Sequence, residues 1–282
     1  MNFDLSSLKG KTCVITGGTG GIGSAIVEAV ASAGINLVLI SRSKEKIEKK
    51  GLELREKYNI KTLALPSDVN DKDTLVKIKE SALDKFGTID FLINCAGGNF
   101  PKATAAREFL EEKDLDNLEN TFFGLDLNDI RKVFDLNFMG SLLPALVFAD
   151  VMAKNKSGSI INISSMNAFR PLTKIVAYSA AKASINNFTQ WLAVHFARVN
   201  VRVNAVAPGF FLTNQNRFLL TDEKTGDLTA RGNKIISLTP MQRFGNVDEL
   251  QGIILFLLSD YAKFITGTII PVDGGFSAYS GV

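Results

Sequence analysis

In the stretch "SSMNAFRPLTKIVAYSAAK", residues 164–182, a serine pair precedes a tyrosine and a lysine placed at i and i+4. A free tyrosine has a pKa of about 10 and exchanges protons poorly at neutral pH. A lysine one turn along shares its helix face, and a nearby ammonium favours the phenolate and lowers that pKa. Tyr178 so assisted by Lys182 would give a proton to a carbonyl in a reduction, or take one from an alcohol in an oxidation. A Tyr-x-x-x-Lys pair also arises by chance on ordinary helices, so its meaning depends on what surrounds it.

A second set of residues bears on a cofactor. "TGGTGGIG" (16–23) joins a short apolar run to a helical pattern. Glycine allows the tight turn and lets a pyrophosphate approach without a Cβ in the way. The helix N-terminus then offers free N–H groups and the positive end of its dipole. After the next apolar run the chain reads "LVLISRSKEK", with Ser41 and Arg42 where an acid would bind ribose hydroxyls. Without that carboxylate and with a guanidinium at hand, the position leans towards NADP over NAD.

The elements that would hold these residues follow from periodicity. Apolar runs at 12–16, 35–41, 61–66, 89–97, 159–164, 201–208 and 266–273 read as strands. Between them lie helical patterns over about 17–34, 43–58, 71–86, 126–155, 175–198 and 247–258. Continuous apolar strands imply burial on both faces, hence a parallel sheet covered by helices. The expected fold is α/β: a Rossmann-like doubly wound parallel seven-stranded sheet with helices on both faces, one domain over 1–282. Segments 98–125 and 209–246 exceed what such connections need, and both follow strand C-terminal ends, where ligands bind. They are expected to contact substrate.

Composition excludes several classes. The 282 residues are 46% hydrophobic and 22% charged, as in a globular domain, and a net charge of +3 is too mild to imply nucleic acid. No leader-like segment opens the chain, and no uninterrupted apolar run reaches the ~18 residues that span a bilayer. A cytoplasmic protein without membrane attachment is the expectation. Cys13 and Cys95 read as buried free thiols. His195 is the only histidine, and the acids are scattered, so no metal site is expected. His195 and Trp191 read as core or subunit-contact residues.

Taken in order, "TGGTGGIG", "NCAGG", "DLNFMG", "INISS", "YSAAK" and "APG" resemble the motifs of the short-chain dehydrogenase/reductase family over essentially the whole chain. The resemblance implies that Gly17, Thr19, Gly21, Ile22 and Gly23 form the dinucleotide loop. It places Asp68 and Val69 beside the adenine, Asn94, Ala96 and Gly97 along the cofactor cleft, and Pro208, Gly209 and Thr213 at the nicotinamide end. Asn137, Ser165, Tyr178 and Lys182 match the family's catalytic tetrad. Ser165 would orient the reacting oxygen, Lys182 would also hold the nicotinamide ribose, and Asn137 would anchor a water relay. Ser164 is left as the cofactor-side neighbour. The family usually writes "NNAG", so Cys95 departs from it. Helices 126–155 and 175–198 commonly pair subunits in this family, which implies a homotetramer or dimer.

"AGGNFPKAT", "SSMNAFRPLTKI", "APGFFLTNQNR" and the tail "PVDGGFSAYSGV" further resemble the family's sugar-acid branch, whose members interconvert keto and hydroxy sugar acids such as D-fructuronate and D-mannonate. Members of that branch often carry Asp at the position of Ser41, which keeps NAD open. Asn99, Lys102, Asn167, Arg170, Asn214, Asn216 and Arg217 would crowd the mouth with donors and positive charge. Amides suit a polyol, and an arginine suits a carboxylate through paired hydrogen bonds. Asn99, Asn167 and Arg170 are the expected substrate contacts, Arg170 as the carboxylate partner. Phe210 and Phe211 leave an apolar acyl substrate open.

Overall fold

Residues 4–213, 216–222 and 225–281 are described by a computed structural model of the chain. Apolar runs that would strand their backbone groups in a hydrophobic interior pair them instead in one parallel sheet. Its strands are β1 (Thr12–Thr16), β2 (Asn36–Ser41), β3 (Thr62–Pro66), β4 (Phe91–Asn94), β5 (Gly158–Ile163), β6 (Val201–Pro208) and β7 (Ile269–Val272). They lie in the order β3-β2-β1-β4-β5-β6-β7, parallel throughout. The fold is therefore the doubly wound one that alternation predicts.

Helices α1 (Gly21–Ser32), α2 (Lys44–Tyr58) and α3 (Lys72–Phe86) connect the first four strands. Local chemistry sets their ends. The Ser43 and Asp71 side chains accept the Lys46 and Thr74 N–H groups, and Asn59 and Gly87 stop the helices in the left-handed region at φ 54° and 75°. After β4 come α4 (Leu127–Phe134) and α5 (Gly140–Asn155), and after β5 comes α6 (Val176–Phe196). After β6 come α7 (Arg217–Leu220), α8 (Ala230–Ser237) and α9 (Gln251–Leu258). One core lies under α1, α2 and α9, through Ile26, Leu54 and Ile254. The other lies under α3, α5 and α6, through Leu75, Phe148 and Leu192.

Three departures from the pattern bear on function. The helix expected over 126–155 is broken by a wide π-type turn at Asp135–Met139, which carries Asn137. Pro144 has no N–H for the Gly140 carbonyl, so the helix restarts without its first bond. The run 127–155 is long and apolar enough to cross a bilayer by length and composition, but 56% of the apolar 18-residue stretch within it is buried in the protein, as in a core helix. The fourth strand ends at Asn94, so Cys95, Ala96 and Gly97 turn off the sheet. The segment 209–246, irregular by sequence, contains the two short helices α7 and α8.

The chain leaves β1 towards β2 and β3 on one side and returns to β4 on the other. The C-terminal ends of β1 and β4 therefore diverge, and a cleft opens between them.

Candidate active site

The glycine loop occupies one wall of this cleft. Gly17 lies at φ +70°, and a Cβ there would fall 2.7 Å from the Ala96 nitrogen, so only glycine lets loop and strand end meet. A Cβ on Gly23 would collide with the Gly17 carbonyl oxygen. Thr16, fully buried at the end of β1, accepts the Cys95 and Ala96 N–H groups at 3.2 and 3.3 Å and fastens the two walls. Helix α1 opens at Gly20 with no side-chain cap and no acid in its first turn, so the N–H groups of Gly21, Ile22 and Gly23 are left for an anion. Thr213 lies against that turn: a Cβ on Gly21 would be 2.7 Å from its side chain.

At the end of β2 the Thr19 and Ser41 hydroxyls bond each other at 2.8 Å, and Arg42 beside them is exposed. Asp68, also exposed, accepts the Asn70 N–H in a local turn, while Val69 is buried against Gly140. Pro208 closes β6, and Gly209 donates to the Val272 carbonyl at 2.9 Å, with no room for a Cβ beside Asp273. These residues fit a dinucleotide: a glycine cradle, an uncapped helix terminus for its phosphates and hydroxyls for its ribose. One expected member does not belong. Asn94 is 1% exposed and turns inward, its amide nitrogen donating to Ser141 O and Asn162 Oδ1, because β4 places it on the covered face of the sheet.

The tetrad residues come from three elements. Ser165 ends the β5 run and accepts the Asn167 N–H at 3.2 Å. Tyr178 and Lys182 come from α6, with the Lys182 amine 5.7 Å from the Tyr178 ring centre. That amine is buried and donates to the Ile163 carbonyl at 2.8 Å. Asn137 bonds Gly98 reciprocally, donating to its carbonyl at 2.7 Å and accepting its N–H at 3.2 Å, and also donates to Val133 O. A Cβ on Gly97 would fall 2.8 Å from Asn137 Oδ1 and 3.2 Å from Lys182 Nζ, so glycine leaves both polar atoms facing one space.

Titration here differs from the expectation. Burial raises the Tyr178 phenol above its ordinary value, with Ser165 pulling the other way. Lys182 does not lower it, because the amine is itself held down to about 8 by burial and is turned to the Ile163 carbonyl. Cys95 also differs from its sequence reading. It is half-buried beside Lys182, and burial raises its thiol to about 11, whereas Cys13 is wholly buried in β1. Ser164 is not a cofactor-side residue: it is buried and donates to Asn186 Oδ1 at 2.6 Å.

On the substrate side, Asn99 is exposed and donates to Thr104 Oγ1 at 2.8 Å. Asn167 is buried with its side-chain oxygen lacking a partner. Arg170 is exposed, and its Nε donates to the Ser277 carbonyl at 3.2 Å, which ties the C-terminal tail to the loop after β5. Lys102 is exposed near Asp129, and Arg217 is exposed at the start of α7. Asn216 is withdrawn as a substrate contact, since it braces its own loop through the Thr213 N–H and the Phe211 carbonyl. Asn214 lies outside the described residues. Phe211 is core, and Phe210 meets Phe276 edge-on. The two long segments touch through Lys234 and Glu108 at 2.6 Å. A cavity of about 190 Å³ lies between Ala105, Phe122, Phe123, Leu172, Lys174 and Val176. Sequence reasoning missed the contact of the tail with Arg170 and the brace by Thr16, for which no local pattern signals a contact.

Residues 17–277 match the sequence profile of the family described as enoyl-(acyl carrier protein) reductase. An uncharacterized oxidoreductase, UxuB, of Bacillus subtilis is 47% identical over 277 residues, covering 98% of each chain. A 2-dehydro-3-deoxy-D-gluconate 5-dehydrogenase of Dickeya dadantii is 32% identical over 280 residues, 99% of this chain and 100% of that one. The crystal structure of a candidate D-mannonate oxidoreductase from Haemophilus influenza, with bound NAD, superposes with a TM-score of 0.91 at 47% identity, covering 98% of both chains. The chain belongs to the short-chain dehydrogenase/reductase family of NAD(P)-dependent oxidoreductases.

Proposed function

We propose that the protein reduces a keto sugar acid to its hydroxy acid, D-fructuronate to D-mannonate, and runs the reverse oxidation. The observation that carries this reading is the likeness to the candidate D-mannonate oxidoreductase, which extends over 98% of the chain and so includes both long segments. A dinucleotide held by the glycine loop and the start of α1 would supply or accept the hydride. Tyr178 gives its proton to the oxygen of the reduced carbonyl, Ser165 holds that oxygen, and Lys182 and Asn137 carry the replacement proton from the space beside Gly97. Burial keeps Tyr178 in its phenol form, the state that donates to a carbonyl. Asn99, on the segment 98–125, and Asn167 and the free face of Arg170, on the loop after β5, are the proposed contacts for hydroxyls and carboxylate. The Dickeya relative favours a second reading, a gluconate-type keto acid on the same machinery.

For the dinucleotide, the Ser41–Thr19 hydroxyl pair offers no carboxylate to repel a 2′-phosphate, and Arg42 adds an ion-pair partner. This supports NADP, while the NAD in the Haemophilus structure supports NAD. We infer that both are accepted, with Arg42 favouring the phosphorylated form. Leu146 on α5 and Trp191 and Val194 on α6 are 65%, 60% and 79% exposed, an apolar face suited to a second copy in a dimer or tetramer.

Four outcomes are expected. D-fructuronate should be consumed with NADH or NADPH, followed by absorbance, and Tyr178→Phe should stop turnover without loss of dinucleotide binding. Reduction of only gluconate-type acids or 3-oxoacyl thioesters would reassign the substrate. Arg42→Ala should raise KM for NADPH about tenfold with little change for NADH, since one ion pair to phosphate is lost. Lys182 loses its proton in the folded protein as pH rises through about 8. The rate of ketone reduction should therefore hold near neutrality and decline through that value; a profile flat to higher pH would remove the ammonium from the proton path. Val194→Glu should shift the sedimentation coefficient of the native assembly to that of a monomer.

A further inference from the structure

We propose that Asn162 and Thr189, with Ser164 and Asn186, key the register and roll of α6 on β5 and thereby position Lys182 and Tyr178. The proposal rests on the catalytic roles given to those two residues above. Asn162 lies in β5 and Ser164 just past its end, where the Ser164 N–H still meets the Val206 carbonyl at 2.8 Å, so the two side chains point to one face of the sheet. Lys182, Asn186 and Thr189 stand at i, i+4 and i+7 on α6, one stripe of that helix. Asn162 donates to Thr189 Oγ1 at 2.9 Å, and Ser164 donates to Asn186 Oδ1 at 2.6 Å. The Lys182 amine reaches Ile163 O, between Asn162 and Ser164, at 2.8 Å.

The same side chains continue to the other end of the site. Asn162 Oδ1 accepts from Asn94 at 2.9 Å, and Asn94 also donates to Ser141 O at 3.2 Å. The Ser141 hydroxyl donates to the Asn137 carbonyl at 3.0 Å, in the wide turn. Asn94, Asn137, Ser141, Asn162, Ser164 and Thr189 are all at most 2% exposed. A buried polar chain therefore runs from the turn bearing Asn137, across β4 and β5, to the helix bearing Tyr178 and Lys182. The surrounding contacts, such as Ile185 and Leu192, are apolar, and apolar contact is non-directional. A helix seated only by these could roll or slide; with the polar ties, any slip orphans buried donors. Thr189 also donates to Ile185 O within its own helix, which leaves its lone pair for Asn162.

The test is Thr189→Val, which keeps the shape and removes the acceptor, with Thr189→Ser as the conservative partner. Turnover is measured per dinucleotide-loaded protein, well below the unfolding midpoint. The expected result is a fall in kcat of about tenfold or more, as for small misplacements of reacting groups. KM values should change less than twofold, the alkaline limb set by Lys182 should move, and Thr189→Ser should restore both. Ser164→Ala, which leaves the half-buried Asn186 able to bind water, should show the same pattern in weaker form and serves if Thr189→Val does not fold. A lowered midpoint with kcat and pH limb unchanged overturns the proposal. Tyr178→Phe run alongside separates the failures. Turnover retained there defeats the site reading, whereas an inactive Tyr178→Phe beside a wild-type-like Thr189→Val defeats only the keying.

Discussion

The bond from the Lys182 amine to the Ile163 carbonyl is the constraint around which the site is arranged. A primary amine taken out of water loses hydration, and no carboxylate contributes to its titration. Burial holds it down to about 8, Cys95 pulls the other way, and a main-chain oxygen at the end of a buried strand accepts from it. That oxygen is available only if α6 lies along β5 at one register. Gly97 must lack a side chain for the same reason, since a Cβ would reach into the space the amine shares with Asn137.

The dinucleotide wall answers to a different constraint, backbone proximity. The loop after β1 and the end of β4 approach so closely that Gly17 has no room for a Cβ, and the Thr16 hydroxyl satisfies the two N–H groups that leave the sheet there. The uncapped start of α1 makes sense in the same frame. Helices α2 and α3 use Ser43 and Asp71 to satisfy their first turns, whereas α1 leaves its own open towards the cleft. Helices α4 and α8 likewise start on capping side chains, Asp126 and Thr229; the start of α1 faces the cleft without one.

Most of the fold and the pairing of Tyr178 with Lys182 on one helix were legible because both are written in short-range patterns. Apolar runs of strand length alternate with helical stripes, and Tyr178 and Lys182 lie one turn apart on a single helix. The misreadings were places where a residue's direction depended on a distant element. Asn94 looked like a cleft residue, but the covered face of β4 turns it towards Asn162. Arg170 keeps its place among the proposed contacts, but its tie to the tail at Ser277 comes from across the fold and had no local signal. Asn216 looked like a donor at the mouth, and its own loop takes up both ends of the amide. Tyr178 was expected to be acidified by its neighbour, and burial of both groups reversed the sign.

Residue order alone thus determined the alternation of strands and helices, the glycine loop and the spacing of Tyr178 and Lys182 on one helix, because each depends on neighbours within a turn or two of chain. Tertiary structure decided what those groups do at neutral pH and which amides are left to meet a substrate. Desolvation and hydrogen-bond satisfaction depend on atoms brought close from far along the chain, such as Ile163 to Lys182 and Ser277 to Arg170. The break at Asp135–Met139 that presents Asn137 belongs to the same class. Its wide turn is held by side chains, with Asn137 donating to the Val133 and Gly98 carbonyls and the Ser141 hydroxyl to the Asn137 carbonyl.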